Sequence, residues 1–355
     1  SLLEVLGNPH HNLRFVHVAG SNGKGSTAAM LGSIAQSAGV RIGLYTQPHL
    51  HTFRERIVVD GLPISPTEFS LLITQLKAAV STCTIHNPKL GDPTTFEIAT
   101  VAAFKHFVEA NVELAIVEVG LGGTWDATNV IDPIVSVITS LSLEHQSILG
   151  NTLREIASEK AGIVKPRRPV VTVQQPPEAM EIIRQKAQSM NSKIHVVGTS
   201  PGLHLDYKEQ TAWATRPLTM PCSLQLPNGT RHVQLPLIGK HQLLNAAAAV
   251  GAALQLAPAG IKINSTDMVC GLEKTAWPAR LEIIQEDPLL IIDGAHTPDA
   301  CQQLVETLSL LRANNVHLIF GSGSDKNASA MLNIMSPLVS NTYLCASKHP
   351  RATRT

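Results

Sequence analysis

A strong net charge of either sign, paired cysteines and long apolar runs are all missing from this 355-residue chain. Its 28 Lys and Arg nearly cancel its 27 Asp and Glu. No global field therefore draws it to nucleic acid, and any anion it binds must be held by a local site. The five cysteines, Cys83, Cys222, Cys270, Cys301 and Cys345, are odd in number and scattered, with no CxxC pair or Cys/His cluster. That usage fits a reducing cytoplasm. No apolar run approaches the roughly 20 residues a membrane helix needs. The N-terminus lacks the charged-then-apolar pattern of an export signal. A cytoplasmic chain with no membrane and no nucleic-acid partner is expected.

What is present is core-forming material: 44% of residues are hydrophobic and only 15% charged, enough for two folded domains. Strand-like runs at 14–19, 41–46, 114–119 and 134–139 alternate with helical patterns, which predicts an α/β fold with a parallel sheet. Ala28, Leu31, Ala35 and Ala38 recur at helical spacing and predict one apolar face, ended by Gly39. Further helices are expected over 95–109, 153–161 and 241–256. The Pro, Gly and Thr of 199–235 mark a β-rich excursion. A second βαβ-like unit is expected from Leu289, with strands 289–293 and 316–320 flanking a helix over 298–311. The expected division is a larger domain 1–273, a linker 274–280 around Trp277-Pro278, and a smaller Rossmann-like domain 281–355. Both ends look abrupt, at Ser1-Leu2-Leu3 and at His349-Pro350-Arg351 after the strand-like 342–345, so the chain is expected to be a fragment with a truncated second domain.

The strand Phe15-Val16-His17-Val18-Ala19 runs into Gly20-Ser21-Asn22-Gly23-Lys24-Gly25-Ser26-Thr27 and then into a helix. Strand, glycine-rich turn and helix form a phosphate-binding context. Backbone N–H groups converge on an anion, the helix terminus adds positive partial charge, and Lys24 can neutralise outer phosphates. Ser26 or Thr27 can reach a phosphate-bound Mg²⁺. The generic P-loop pattern is matched imperfectly: Val18 stands where its first Gly belongs, and Gly25 separates Lys24 from Ser26.

The variant is itself informative. Gly20 to Ser26 resembles the Gly-Thr-Asn-Gly-Lys-Gly-Ser loop of folylpolyglutamate synthases, members of the Mur ligase superfamily. The resemblance continues in Pro48-His49-Leu50 with Glu55-Arg56-Ile57, Glu118-Val119-Gly120-Leu121-Gly122-Gly123, Asp126-Ala127-Thr128-Asn129, Glu159-Lys160-Ala161-Gly162-Ile163, Gly239-Lys240-His241-Gln242 with Asn245, and Asp293-Gly294-Ala295-His296. It implies a ligase of the folylpolyglutamate synthase/dihydrofolate synthase type. Such an enzyme uses ATP and two Mg²⁺ ions to join L-glutamate to a folate or dihydropteroate carboxylate through an acyl phosphate, and is expected as a monomer.

The same resemblance assigns roles. Ser21, Asn22, Gly23, Lys24, Gly25, Ser26, Asn245, Arg280 and Asp293 would bind nucleotide, and Gln47 and Glu118 would serve one Mg²⁺. His145 and a carbamylated Lys160 would serve the other. Lys24, Lys160 and His296 would be catalytic, while Pro48, His49 and Arg56 would line the substrate site. Five departures stand out: Gln47 for the family's Ser, Glu144 for Asp, Ala279 for Gly, Thr297 for Asn, and Thr124-Trp125 for Arg-Leu. Arg54, too, stands where bacterial members often have Asn.

Plainer readings exist for each residue. Glu118 could be a solvated strand end, His145 a loop residue, Lys160 a surface lysine paired with Glu155 or Glu159, Asn245 a helix polar residue, Arg280 a surface ion pair and Asp293 part of a helix cap. At the level of the whole chain, the competing functions are a cell-wall ligase acting on a muropeptide and a non-catalytic ATP-binding module.

Overall fold

The computed structural model describes residues 1–86, 91–199, 203–207, 219–310, 315–348, 350 and 352–353. Eight short runs, each bounded by turns, make one sheet. They are β1 (Phe15–Ala19), β2 (Ile42–Tyr45), β3 (Ile57–Val59), β4 (Leu62–Pro63), β5 (Leu114–Glu118), β6 (Val135–Ile138), β7 (Val170–Val173) and β8 (Ile194–Val197). Their order is β4-β3-β2-β5-β1-β6-β7-β8.

The six strands from β2 to β8 in that row are parallel. β1, β2, β5, β6 and β7 are buried along their whole length, as strands covered on both faces must be. The expected all-parallel sheet needs one correction, because β3 and β4 add an antiparallel edge. The Asp60-Gly61 turn between them has positive φ at both residues, the geometry that closes a two-residue hairpin. Since β1 lies between β5 and β6, the crevice beyond their carboxyl ends is a topological switch point, where ligands bind in such sheets.

The helix Lys24–Ser37 departs from the one-faced pattern expected of it. It is buried from Gly25 to Gly32 and again at Ile34 and Ala35, because helices Lys240–Leu254 and Ser265–Glu273 cover the side turned away from the sheet. Small residues make this possible. The Ser33 hydroxyl donates to the Gly271 carbonyl at 2.6 Å, and a Cβ on Gly271 would lie 2.3 Å from the Ile34 Cα.

The β-rich excursion is an antiparallel sheet of β9 (His204–Tyr207), β10 (Met220–Leu226) and β11 (Gly229–Leu235), in the order β11-β10-β9. Residues 200–202 and 208–218 of it lie outside the described residues. Its apolar face, including Met220, Leu224 and Leu235, joins the main core. The excursion is therefore part of the first unit's packing.

In the second unit the expected strands and helix are present, but the pairing is different. β13 (Leu289–Ile292) pairs antiparallel with the unanticipated β12 (Glu282–Glu286), whose polar sequence gave little strand signal. β14 (Val316–Phe320) pairs parallel with β15 (Val339–Leu344), which accounts for the strand-like 342–345. The helix Pro298–Leu310 follows β13, and Ala328–Met335 connects β14 to β15; residue 311, expected in the first of these helices, lies outside the described residues. Among the described residues no helix is long and apolar enough to cross a membrane.

Candidate active site

β1 delivers the chain to Gly20 at the switch point. The N–H groups of Ser21 and Asn22 both donate to the Ser140 carbonyl, at 2.9 and 3.2 Å, and the Thr139 hydroxyl donates to the Asn22 carbonyl at 2.7 Å. The loop is thus anchored to the segment leaving β6. Lys24 Nζ donates to the carbonyls of Gly20 (2.9 Å) and Ser21 (3.3 Å), which holds the ammonium over the loop.

Two glycines of the loop are dictated by close neighbours. Gly23 has φ 84°, and a Cβ there would lie 2.1 Å from Asn245 Oδ1. A Cβ on Gly25 would lie 2.9 Å from the Trp277 indole. The glycine that separates Lys24 from Ser26 is therefore the residue on which the linker's tryptophan sits. Of the two hydroxyls expected to reach a phosphate-bound ion, Thr27 is turned away; it is fully buried and points at the Asn245 carbonyl, 3.5 Å off. Ser26 remains in place at the helix start.

Glu118 ends β5 beside Val18 of β1 and is only 4% exposed, so the solvated strand-end reading fails. Burial pushes its carboxyl above the usual range, opposed by the charge of Lys24, the Gln47 N–H, Arg280 and Arg56. The Gln47 N–H donates to it at 3.1 Å. Arg56 then orders the neighbourhood: Nη1 donates to Gln47 Oε1 at 3.3 Å and Nε to His49 Nδ1 at 2.9 Å, with the guanidinium 4.9 Å over the Phe53 ring.

Gln47 Oε1, the oxygen expected to serve Mg²⁺, is held by Arg56 with a second lone pair left over, and its buried Nε2 has no partner. An amide nitrogen is a donor and does not ligate Mg²⁺. Arg56 and His49 are hydrogen-bonded to each other and so shape the 47–56 loop, which includes Pro48.

Lys160 is not a surface residue. It is 2% exposed, with Nζ 2.6 Å from Glu144 Oε1 and donating to the Gly20 carbonyl at 2.8 Å. Burial, reinforced by the charge of Lys24, lowers its pKa to about 8 against the pull of Glu144. Burial pushes Glu144 upward, but the charges of Lys160 and Lys24 outweigh it and leave the carboxyl below its ordinary value. The longer Glu in place of Asp is what spans to the lysine. His145 is exposed and starts the short helix Gln146–Leu149 with φ 45°. As an ammonium, Lys160 cannot be a metal ligand; only its carbamate could.

The second unit faces the same loop. Asp293 accepts from the N–H groups of Leu281 (2.8 Å) and Ala295 (2.7 Å), using both oxygens to tie the linker to β13. Arg280 Nη1 donates to the Ala279 carbonyl at 2.9 Å, between two residues with left-handed backbone, Ala279 (φ 54°) and Leu281 (φ 51°). That conformation explains why the family has Gly where this chain has Ala279. A cavity of about 420 Å³ runs along the linker, with Trp277, Arg280, Leu237 and Ile238 in its wall. His296 is exposed, its Nδ1 2.9 Å from the Gly294 carbonyl. Thr297 accepts from the Ala300 N–H at 3.2 Å and so keeps the capping role that Asn would have.

Asn245 is buried, with Nδ2 donating to Gln242 Oε1 at 2.9 Å and its oxygen against Gly23. Asp126 and Thr128 are structural. Asp126 accepts from the Leu121 N–H at 2.9 Å and from the Thr128 hydroxyl, which also meets the buried His17 at 2.8 Å. Together they fix the turn that follows Glu118. Sequence reading missed Trp277 and Asp299 as site residues. Asp299 looks like an ordinary first-turn helix acid, yet its Oδ2 accepts from Asn22 Nδ2 at 2.8 Å. Among the described residues no three His, Cys, Asp or Glu side chains converge as a metal cluster. The buried Glu118 carboxylate fits a hard cation only as one oxygen of a shell completed by Ser26, water and phosphate oxygens.

A phosphate loop beside a buried strand-end carboxylate, faced by a second α/β unit, defines a nucleotide-dependent enzyme of the P-loop α/β class. Two families match, the Mur ligase middle domain over residues 67–253 and the Mur ligase, glutamate ligase domain over residues 279–355. A dihydrofolate synthase/folylpolyglutamate synthase of Bacillus subtilis (strain 168) is 37% identical over 99% of this chain and 80% of its own length. A Mycobacterium tuberculosis folylpolyglutamate synthase, solved with ADP and AMPPCP, superposes with TM-score 0.91 at 30% identity, over 99% of this chain and 79% of its own. A folylpolyglutamate synthase complex with AMPPCP and folate gives TM-score 0.88 at 33% identity, over 97% and 82%. The chain belongs to the folylpolyglutamate synthase/dihydrofolate synthase family of Mur ligases, which are ATP-dependent ligases.

Proposed function

We propose that this chain joins the amine of L-glutamate to a carboxylate of folate or dihydropteroate at the expense of ATP, releasing ADP and phosphate. The single observation that carries the reading is the convergence on one loop of Lys24, the buried Glu118 and the linker's Arg280. A carboxylate resists amines because its leaving group would be oxide; phosphorylation supplies a better one. Phosphoryl transfer needs alignment and charge neutralisation more than covalent help. Lys24 and Arg280 supply positive charge, and the loop's N–H groups orient the phosphates.

Mg²⁺, when bound, would neutralise phosphate charge. Glu118 would hold one ion, with His145 and a carbamylated Lys160 serving a second. The low pKa and burial of Lys160 favour the neutral amine that reacts with CO₂. Asn245, Asp293 and Ser21 to Ser26 complete the nucleotide site, His296 acts at the acyl group, and Pro48, His49 and Arg56 shape the folate side. We assign these tasks to a domain 1–273, a linker 274–280 and a domain 281–355 of a cytoplasmic monomer.

The test is coupled ADP release with dihydropteroate or tetrahydrofolate, each with and without glutamate. Release that requires both the pteridine acid and glutamate is expected. Nucleotide binding without glutamate-dependent release would select a non-catalytic module.

A further inference from the structure

The phosphate loop is built to collect anions, yet a carboxylate stands at its mouth. Asp299, in the first turn of helix Pro298–Leu310, is exposed, and its Oδ2 accepts from Asn22 Nδ2 at 2.8 Å across 277 positions of sequence. The same Asn22 amide donates to the Ser142 hydroxyl at 3.1 Å, so Asn22 ties the second unit to the loop that carries Glu144 and His145. Asn22 is the only described donor to Asp299. The unit's other carboxylate near the site, Asp293, has both oxygens taken by backbone N–H groups. A fixed negative charge beside bound phosphates is repulsive, so the position makes chemical sense if a cation arrives there.

The reaction brings one. We infer that Asp299 is the amine-binding group of the glutamate site, an assignment that rests on the ligase reading above. The ammonium of the incoming amino acid pairs with the Asp299 carboxylate and loses one proton to solvent. The amine lone pair forms the C–N bond, and the C–O bond to phosphate breaks with its electron pair on the departing phosphate. The second proton, acidic on the newly bonded nitrogen, is lost to solvent. A carboxylate on the second unit joined to the first unit's phosphate loop places this step only where the two units meet.

Asp299→Asn keeps an oxygen able to accept from Asn22 while removing the charge. Wild type and variant are compared by ADP release with glutamate and with hydroxylamine, a neutral amine that needs no ammonium site, alongside KM for ATP and thermal melting. We expect KM for glutamate to rise about tenfold or more. Hydroxylamine-dependent release and melting should stay unchanged, KM for ATP should not rise, and Asp299→Glu should recover part of the loss. Equal losses with both nucleophiles, or a raised KM for ATP, would make Asp299 a mere tie between the units and overturn the assignment. An unchanged KM for glutamate would overturn it too. Failure of wild type to need glutamate at all would instead remove the ligase reading, and the assignment with it.

Discussion

Lys160 Nζ lies 2.6 Å from Glu144 Oε1, both inside the protein, on the segments that follow β6 and precede β7. The pair sits against the phosphate loop through the hydrogen bond from Lys160 to the Gly20 carbonyl. Chemistry at either residue therefore reaches the nucleotide site directly.

The carbamate proposal separates from a purely ionic role by rescue. Lys160→Ala should lose ligation, and formate or acetate should restore part of it by occupying the vacated anionic position. Lys160→Arg should not respond to either acid. Steady-state ADP release at fixed ionic strength decides; full activity in Lys160→Ala without added acid would end the proposal.

The same lysine gives a pH signature. Its folded pKa of about 8 lies below its ordinary value of 10.5, so the folded state binds the proton less well than the unfolded chain. Stability is depressed below pH 8, and the penalty disappears as pH rises from about 8 to 10.5. Relative to Lys160→Met, the wild type should gain roughly 3 kcal/mol across that window. Denaturant melts of both proteins at several pH values measure this; parallel curves would show that Lys160 is not desolvated.

Glu118 should display a conflict between function and stability. Its carboxyl is pushed up by burial, so holding its charge costs stability once pH rises above the ordinary carboxylate range. Glu118→Gln removes that charge and can still accept from the Gln47 N–H. Melting temperature should rise while the Mg²⁺ concentration needed for half-maximal turnover increases. An unchanged Mg²⁺ titration would defeat the metal assignment.

Gly25 and Trp277 should behave as a coupled pair. Gly25→Ala drives a methyl into the indole and is expected to lower kcat/KM for ATP about tenfold, with an interaction energy of about 1 kcal/mol or more between neighbours in contact. The double variant Gly25→Ala, Trp277→Ala should then be less impaired than the two single losses summed. Strict additivity would mean that the linker does not bear on the loop.

Ala279→Gly tests the left-handed backbone beside Arg280. At φ 54° a side chain is disfavoured, and glycine should stabilise the fold by about 0.5–1 kcal/mol, the steric relief exceeding the added chain entropy. A lower melting temperature would show that the buried methyl contributes more than the strain costs.

The amino-acid sequence alone was sufficient for the strands flanking the phosphate loop, for the helices Thr95–Glu109 and Leu153–Ala161, and for the order of the motifs. Those signals are local: apolar runs, caps such as Thr94 and Thr152 with Glu three residues on, and glycines at a strand-to-helix turn. What only tertiary structure decided depends on partners far away in the chain. The helix Lys24–Ser37 is buried on every side from Gly25 to Gly32 because helices more than 200 residues later cover it, and no periodicity within it records that. Lys160 reads as a surface lysine until Glu144 and Gly20 close around it. Gln47 meets Arg56 only once the 47–56 loop has folded back. Asp299 is a routine helix-start acid until the second unit brings it to Asn22, because charge acquires its chemical meaning from whatever packing places opposite it.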